Sequence, residues 1–338
     1  MKGKDMNELG HIGVLLGGCS SERDISFKSG KAVIKALSEK GCLVSPIEIE
    51  STDESEILGL LKDTKIDVAF IALHGEFGED GGIQAILEKA GIPYTGSDVA
   101  TSRITINKIL TQRLLKQNGL LVPAYFSLQQ DRAVDVEMAL REIGGFPVVV
   151  KPAREGSSIG ITIVQEKEKF VPALREAFLY GSEILVEKYV SGKEVTAGIL
   201  DQQALPLVEI RPQHAFFDYE AKYKKGLTDY LVPADLPPAV FSAIQEEALK
   251  AFKILGCRDL ARIDFIVDAQ GRGFILEVNT IPGFTETSLL PKAAKYNRIE
   301  FWDLCLQIVQ LALNRKGQQH FGKNCCLSRQ QKTTSVKA

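Results

Sequence analysis

The chain has 338 residues, with 41 Lys and Arg against 43 Asp and Glu, and is 45% hydrophobic and 25% charged. That length exceeds one ordinary core and predicts two domains, or three small ones, while the composition excludes collagen, coiled coil and wholesale disorder. A formal charge of −2 argues against any global electrostatic grip on nucleic acid.

The N-terminal residues MKGKDMNELG carry both signs of charge and lack the apolar core of a signal peptide. An apolar strand follows at 11–16, then the polar loop GGCSSERDIS and a helix at 25–37, with Ile25, Ala32, Val33, Ala36 and Leu37 at helical spacing. A second strand is predicted at 43–49. A third, at 68–73, is continuously apolar, as a parallel strand buried on both faces should be. The loop HGEFGEDGG then leads to a helix at 83–90. Alternating strands and helices predict an open parallel sheet, with its ligand beyond the strand carboxyl ends. The loops at 17–24 and 74–82 both leave from those ends.

The character changes after Gly96. Residues 101–118 form one polar helix-forming stretch carrying Lys108, broken by Val122-Pro123. A strand at 146–151 runs into PAREGSSIG, with a return strand at 161–164, a helix at 167–178 and a strand at 184–187. Residues 211–233 read as one long irregular segment. Helices are predicted at 239–255 and 301–313. From Arg315 the chain is polar, basic and Gln-rich, and is expected to be a disordered tail over 315–338. No apolar run approaches the roughly 18 residues of a membrane helix. The 6 Cys show neither C-x-x-C nor zinc spacing. These features predict a cytoplasmic protein with no membrane or nucleic-acid partner.

Chemistry collects in three places. In ARIDFIVDAQGRGFILEVN, residues 261–279, both halves alternate about the turn DAQGRG. Ile263, Phe265 and Val267 point one way, Arg262 and Asp264 the other. Phe274, Leu276 and Val278 share a face opposite Glu277 and Asn279. A turn symmetric about Gln270–Gly271 pairs residues whose numbers sum to 541. Asp264 then faces Glu277, and Arg262 faces Asn279. Two adjacent carboxylates repel unless compensated. Together with an amide oxygen they suit Mg²⁺ or Mn²⁺. The same pattern also describes a surface hairpin whose acids face water. The second place is PAREGSSIG at 152–160, a run of small residues that reads as an ordinary hairpin turn or as backbone N–H groups folded over phosphate, with Lys151 ending the preceding strand and Lys108 earlier in the same region. The third, LVEKYVSGKE at 185–194, carries Glu187 and Glu194 on either side of a short connection. His74 follows a buried strand, where it can orient a ligand or a loop, or simply be a satisfied structural histidine. The sequence contains no P-loop, no G-x-S-x-G elbow and no H-E-x-x-H.

Taken in order, VLLGGCSSERDIS, IALHGEFGEDGGIQ, PYTGS, VVVKPAREGSSIGI, LVEKYVSGKEVT, FDYEAKY, ARIDF and LEVNTIPGFTETSL resemble the ATP-grasp superfamily, and within it the D-alanine–D-alanine ligase family. The resemblance covers about residues 11–313. It implies an open α/β N-terminal domain over 1–104 and a two-part ATP-grasp fold, with subdomains at 105–190 and 191–314. It implies ATP and D-alanine as substrates and two Mg²⁺ or Mn²⁺ ions. It also implies a homodimer and a place in peptidoglycan precursor synthesis. By the same resemblance, Lys108 and Lys151 bind ATP phosphates. Glu187 and Glu194 hold adenine and ribose, with the backbones of Lys188 and Val190. Asp264, Glu277 and Asn279 hold the metals. Glu22 pairs with the first D-alanine ammonium, and Ser157 and Tyr223 connect to it to close a lid. Arg262 and the N–H of Gly283 hold the oxyanion. Ser288 and the backbone of Leu289 receive the second carboxylate, with His74 beside the substrate.

Three other readings compete. Relatives tied to vancomycin resistance make a D-alanine–D-lactate depsipeptide and depart from the tyrosine-bearing lid motif, whereas EAKY at 220–223 is intact here. Another ATP-grasp ligase would join a different acid and amine. A non-enzymatic nucleotide-binding protein could keep the fold, but has no need of the whole set of lysines, arginine and acids.

Overall fold

The computed structural model describes residues 9–132, 134–212 and 228–330. The first sheet has the parallel order β2-β1-β3, with β1 at Ile12–Gly17, β2 at Val44–Ile49 and β3 at Val68–Ile71. Side chains alternate across it, as the period-two geometry of a strand requires. Ile12, Val14, Val68 and Phe70 enter one core, and Leu15, Ala69 and Ile71 the other. Helices α2 (Glu54–Thr64) and α3 (Gly82–Ala90) cover the second face. The first face packs on α1 (Arg23–Ser38), but also on helices from the far end of the chain, described below.

The buried face of α1 differs from the expected one. Ser26, Ser29, Gly30, Val33 and Leu37 are buried, while Ile25 is half-exposed. The helix lies so close to β1 that a Cβ on Gly30 would stand 2.7 Å from Leu16 Cβ. Only small residues fit there. Their hydroxyls are satisfied locally, as buried polar groups must be: Ser26 Oγ donates to Ala72 O at 2.8 Å and accepts from Gly17 N at 2.9 Å.

The single helix expected over 101–118 is two. Helix α4 (Val99–Thr105) ends, and Asn107 caps α5 (Lys108–Gln117) by accepting from Ile109 N and Leu110 N. The break puts Lys108 on the first turn of α5. The N–H of Lys108 donates to Ala153 O at 2.8 Å, docking that helix end against the central sheet.

That second sheet is antiparallel, in the order β4-β7-β5-β6. Its strands are β4 (Tyr125–Gln129), β5 (Val148–Pro152), β6 (Thr162–Val164) and β7 (Glu183–Lys188). Val148, Val150, Ile184 and Val186 pack beneath α6 (Val136–Glu142) and α7 (Phe170–Phe178). The third sheet has the order β11-β10-β8-β12-β13, with β9 (Gln203–Ala204) also on β8. It contains β8 (Lys193–Leu200), β10 (Val208–Pro212), β11 (Thr228–Leu231), β12 (Leu260–Val267) and β13 (Gly273–Asn279). Helix α8 (Pro238–Leu255) lays Ile244, Ala248 and Phe252 against it. The stretch read as irregular at 211–233 has an ordered stem, because β10 and β11 pair antiparallel from Glu209↔Leu231 to Pro212↔Thr228.

Helix α9 spans Leu289–Tyr296 and α10 spans Phe301–Gln330. Leu290, Ala293 and Ala294 of α9, with Leu304, Cys305, Ile308 and Val309 of α10, close the core on the first face of the N-terminal sheet. Arg315, which its composition had assigned to the tail, belongs to this helix, and residues 331–338 of that tail lie outside the described residues. Helix α10 continues past Arg315, which is itself anchored: one guanidinium nitrogen contacts Asp259 Oδ1 and Nη2 donates to Tyr94 O at 2.6 Å. Among the described residues no helix is long and apolar enough to cross a membrane.

Candidate active site

The acidic hairpin is the centre of the site. Arg262↔Asn279, Ile263↔Val278 and Asp264↔Glu277 are register partners, the pairing that the turn symmetry predicts. Nearer the turn the register slips by one residue, with Phe265 opposite Ile275 and Val267 opposite Gly273. This bulge overturns one expectation: Ile275 and Val278 are buried, while Phe274 and Leu276 are only half-buried. An extra residue in one strand reverses the alternation on either side of it.

The two neighbouring carboxylates each have a cationic partner. Arg262 holds Asp264 in a two-point contact, Nε to Oδ1 at 2.9 Å and Nη2 to Oδ2 at 2.7 Å. Thr196 Oγ1 donates to Asp264 Oδ1 at 2.6 Å, and Asn279 Nδ2 approaches Oδ2 at 3.3 Å. Lys108 Nζ stands 3.7 Å from Glu277 Oε2 and also donates to Glu155 O. Sequence reasoning paired neither Thr196 nor Glu155 with these groups, although both lie inside the motifs it singled out.

The donor set fits a hard cation. Asp264, Glu277 and Asn279 carry side-chain oxygens, of the kind a hard cation takes, at neighbouring positions of one sheet. Among the described residues no group of three His, Cys, Asp or Glu stands in metal-holding geometry.

A cleft opens beside this hairpin, lined by Lys108, Glu155, Gly156, Glu277 and Asn279 on one side and Glu22, Gly75 and Glu79 on the other. The N-terminal loops reach it as the parallel-sheet rule predicts. Ser157 Oγ donates to Glu22 Oε1, closing a contact between residues far apart in sequence. Ser157 and Ser158 hold φ of 49° and 62°, left-handed values that L side chains adopt reluctantly. Burial raises the Glu22 carboxyl above its ordinary value, and the neighbouring Glu79 charge adds to this. Burial also raises Glu155.

His74 has both ring nitrogens occupied: Nε2 lies 3.0 Å from Ser29 Oγ and Nδ1 3.5 Å from Glu79 Oε1. Ser29 Oγ in turn accepts the N–H of Phe284 at 3.1 Å. Both readings of His74 fit these surroundings: a buried, satisfied structural histidine, and one that orients the neighbouring loop. The same link fixes the loop carrying Gly283. Thr285 N donates to Ser288 Oγ at 3.0 Å, and Ser288 precedes the first turn of α9, where Leu289 begins the helix.

Lys151 does not line this cleft; it is buried, with Nζ 2.6 Å from Glu187 Oε2. Lys188 donates its Nζ to the carbonyls of Gly144 and Gly145 at 3.0 Å and its backbone N–H to Ala124 O at 2.7 Å. Val190 lies in the connection between β7 and β8, and Glu194 is the second residue of β8, opposite Ile266 of β12. Tyr223, the remaining predicted site residue, lies outside the described residues.

Comparison with known proteins agrees with this architecture. A family profile for the D-ala D-ala ligase C-terminus matches residues 114–310, and one for the D-ala D-ala ligase N-terminus matches 53–97. The D-alanine–D-alanine ligase of Syntrophotalea carbinolica is 43% identical over 305 residues, covering 90% of this chain and 97% of that protein. That of Pelotomaculum thermopropionicum is 44% identical over 315 residues, covering 90% and 98%. Among solved structures, the Bacillus anthracis D-alanine–D-alanine ligase complexed with ATP superposes with a TM-score of 0.81 at 32% identity, covering 92% of this chain and 99% of that one. The Coxiella burnetii ligase gives 0.81 at 28% identity, covering 95% and 99%. An open parallel sheet followed by the two-part ATP-grasp fold, with this identity along nearly its whole length, places the chain in the D-alanine–D-alanine ligase family.

Proposed function

We propose that this protein joins two D-alanines to D-alanyl-D-alanine at the expense of ATP, releasing ADP and phosphate, in the cytoplasm and for peptidoglycan precursors. The observation that carries the reading is the meeting of Glu22 with Lys108, Glu277 and Asn279 in one cleft. A carboxylate able to grip an amino-acid ammonium there faces a cation and an acidic hairpin able to grip a polyphosphate.

Lys108 and Lys151 neutralise the ATP phosphates, and the backbones of Lys188 and Val190, with Glu187 and Glu194, frame adenine and ribose. The N–H of Lys188 is engaged by Ala124 O, so its contribution to adenine is its carbonyl. Asp264, Glu277 and Asn279 would hold Mg²⁺ or Mn²⁺, two ions in all, which when bound offset charge as carboxylate meets phosphate. Glu22 orients the first D-alanine by its ammonium, so that its carboxylate attacks the γ-phosphate and becomes an acyl phosphate. The amine of the second D-alanine, held by its carboxylate at Ser288 and the N-terminal backbone of α9, attacks that carbonyl. Arg262 and the Gly283 N–H stabilise the oxyanion before phosphate leaves. Ser157, joined to Glu22, and Tyr223 would together exclude the water that hydrolyses the acyl phosphate. In this reading the functional divisions fall at 104/105 and 190/191, and the protein acts as a homodimer, as the motif resemblance implies.

The test is phosphate release by purified protein with ATP and Mg²⁺, given D-alanine, L-alanine, or D-alanine plus D-lactate, with products weighed by mass spectrometry. D-alanine-dependent release yielding the dipeptide is expected. A depsipeptide as main product at neutral pH would move the protein to the resistance branch. A folded, ATP-binding protein without D-alanine-dependent turnover would overturn the assignment.

A further inference from the structure

One buried contact on the nucleotide wall has no role in the scheme above. Gln112 on α5 is 1% exposed, and its Nε2 donates to Glu187 Oε1. The other oxygen of the same carboxylate holds Lys151 Nζ at 2.6 Å, and Glu187 and Lys151 are 2% and 5% exposed. The amide orientation is unambiguous, because a carboxylate oxygen can only accept. Gln112 Oε1 has no hydrogen-bond partner among the described residues. The side chain is thus buried for one polar contact, the one to Glu187. A buried amide oxygen left without a donor is a destabilising arrangement that packing alone does not call for.

The positions of the two lysines explain its value. Lys108 and Gln112 lie four residues apart on α5, on one face of the helix. Lys108 enters the cleft from that helix directly, whereas Lys151 comes from β5 in a different element. We propose that Gln112 is a positioning residue that ties Lys151 to α5 through Glu187, so that one helix sets the spacing of both phosphate-binding ammonium groups. Without it, Glu187 keeps a fixed backbone on β7 but loses the restraint on its carboxylate rotation, and Lys151 follows. The inference rests on the assignment of Lys151 to ATP phosphates.

Three variants test it in the full-length protein. Lys151→Met checks the underlying assignment and is expected to raise the KM for ATP by roughly 100-fold or more. Gln112→Met keeps the volume and removes the donor. It is expected to raise the KM for ATP by roughly 10-fold, with the KM for D-alanine within about two-fold of the parent. Gln112→Glu adds a readout that loose packing does not mimic. Two apposed carboxyls share a proton at low pH, which restores the hydrogen bond, and repel once both ionise. The ratio of its KM for ATP to that of the parent should therefore climb as pH rises. The other titratable groups facing Glu187 are Lys151 and Tyr125 on β4, whose phenol is raised above its ordinary value of 10 by burial, outside the assay range. A Lys151→Met effect combined with unchanged nucleotide KM in Gln112→Met, or with a pH-independent ratio in Gln112→Glu, would overturn the inference. An unchanged nucleotide KM in Lys151→Met would instead remove the assignment beneath it.

Discussion

Glu277→Gln gives the sharpest test of the acidic hairpin. The substitution keeps the shape and removes one charge. In the structure that charge stands 3.7 Å from Lys108 Nζ, with side chains 24% and 8% exposed. Coulomb's law at that distance gives about 1 kcal/mol in water and about 4.5 kcal/mol at an effective dielectric of 20. The lost attraction is opposed by relief of the repulsion with Asp264, the register partner of Glu277. Folding stability should consequently change little, by about 1 kcal/mol or less, read as a Tm shift of a few degrees. Function should respond far more. Disturbing a group one shell out from a metal typically costs 10–100-fold, and a neutralised ligand should cost about 100-fold or more. The assay is turnover at saturating ATP and D-alanine against Mg²⁺ concentration, beside a thermal melt. A large loss at limiting Mg²⁺, with partial recovery at high Mg²⁺ and an intact melt, is expected. Near-parental turnover at limiting Mg²⁺ would refute the metal role, and a collapsed melt would refute the stability argument.

Other predictions follow from single contacts. A Cβ on Gly156 would stand 2.9 Å from Glu22 Oε2, the movable end of a side chain, so Gly156→Ala should raise the KM for the first D-alanine several-fold and leave the melt nearly unchanged. Burial, then Glu79, raises Glu22, which must be ionised to hold an ammonium. Affinity for the first D-alanine should therefore fall on acidification at a pH above the ordinary carboxylate range, and Glu79→Gln should shift that limb to lower pH; a limb that stays put would remove Glu79 as a cause. Arg315→Ala strands the buried Asp259 and should cost about 3–5 kcal/mol in urea unfolding at neutral pH. Burial already raises the Asp259 carboxyl, so that deficit should shrink as pH falls and the carboxyl protonates. Truncation after Arg315 should be tolerated and truncation before it should not.

The parts of this protein legible in its sequence are those written in short-range periodicity. Alternation and one turn located Asp264 opposite Glu277, because each depends only on residues within the hairpin. The bulge was not legible, since DAQGRG does not say which strand takes the extra residue. Nor was the break between α4 and α5, where helix propensity on both sides outweighed one capping Asn107. Gln112, Thr196 and Ser29 escaped notice for a different reason: they carry no charge, and their partners lie on other elements. Arg315 was misread because local composition decided it, whereas Tyr94 and Asp259, which hold it, stand far away in sequence.

The three strands of the N-terminal sheet have all been made once β3 ends at Ile71, yet one of its faces is closed by a helix that begins at Phe301. During translation, Val14 and Phe70 must wait for Leu304 and Ile308 to be synthesised before that face is sealed. The growing chain carries an open apolar surface through most of its production, the condition under which nascent proteins recruit chaperones or aggregate. A premature stop shortly before α10 would retain every residue that lines the cleft, and still leave one face of the first-made sheet only partly covered.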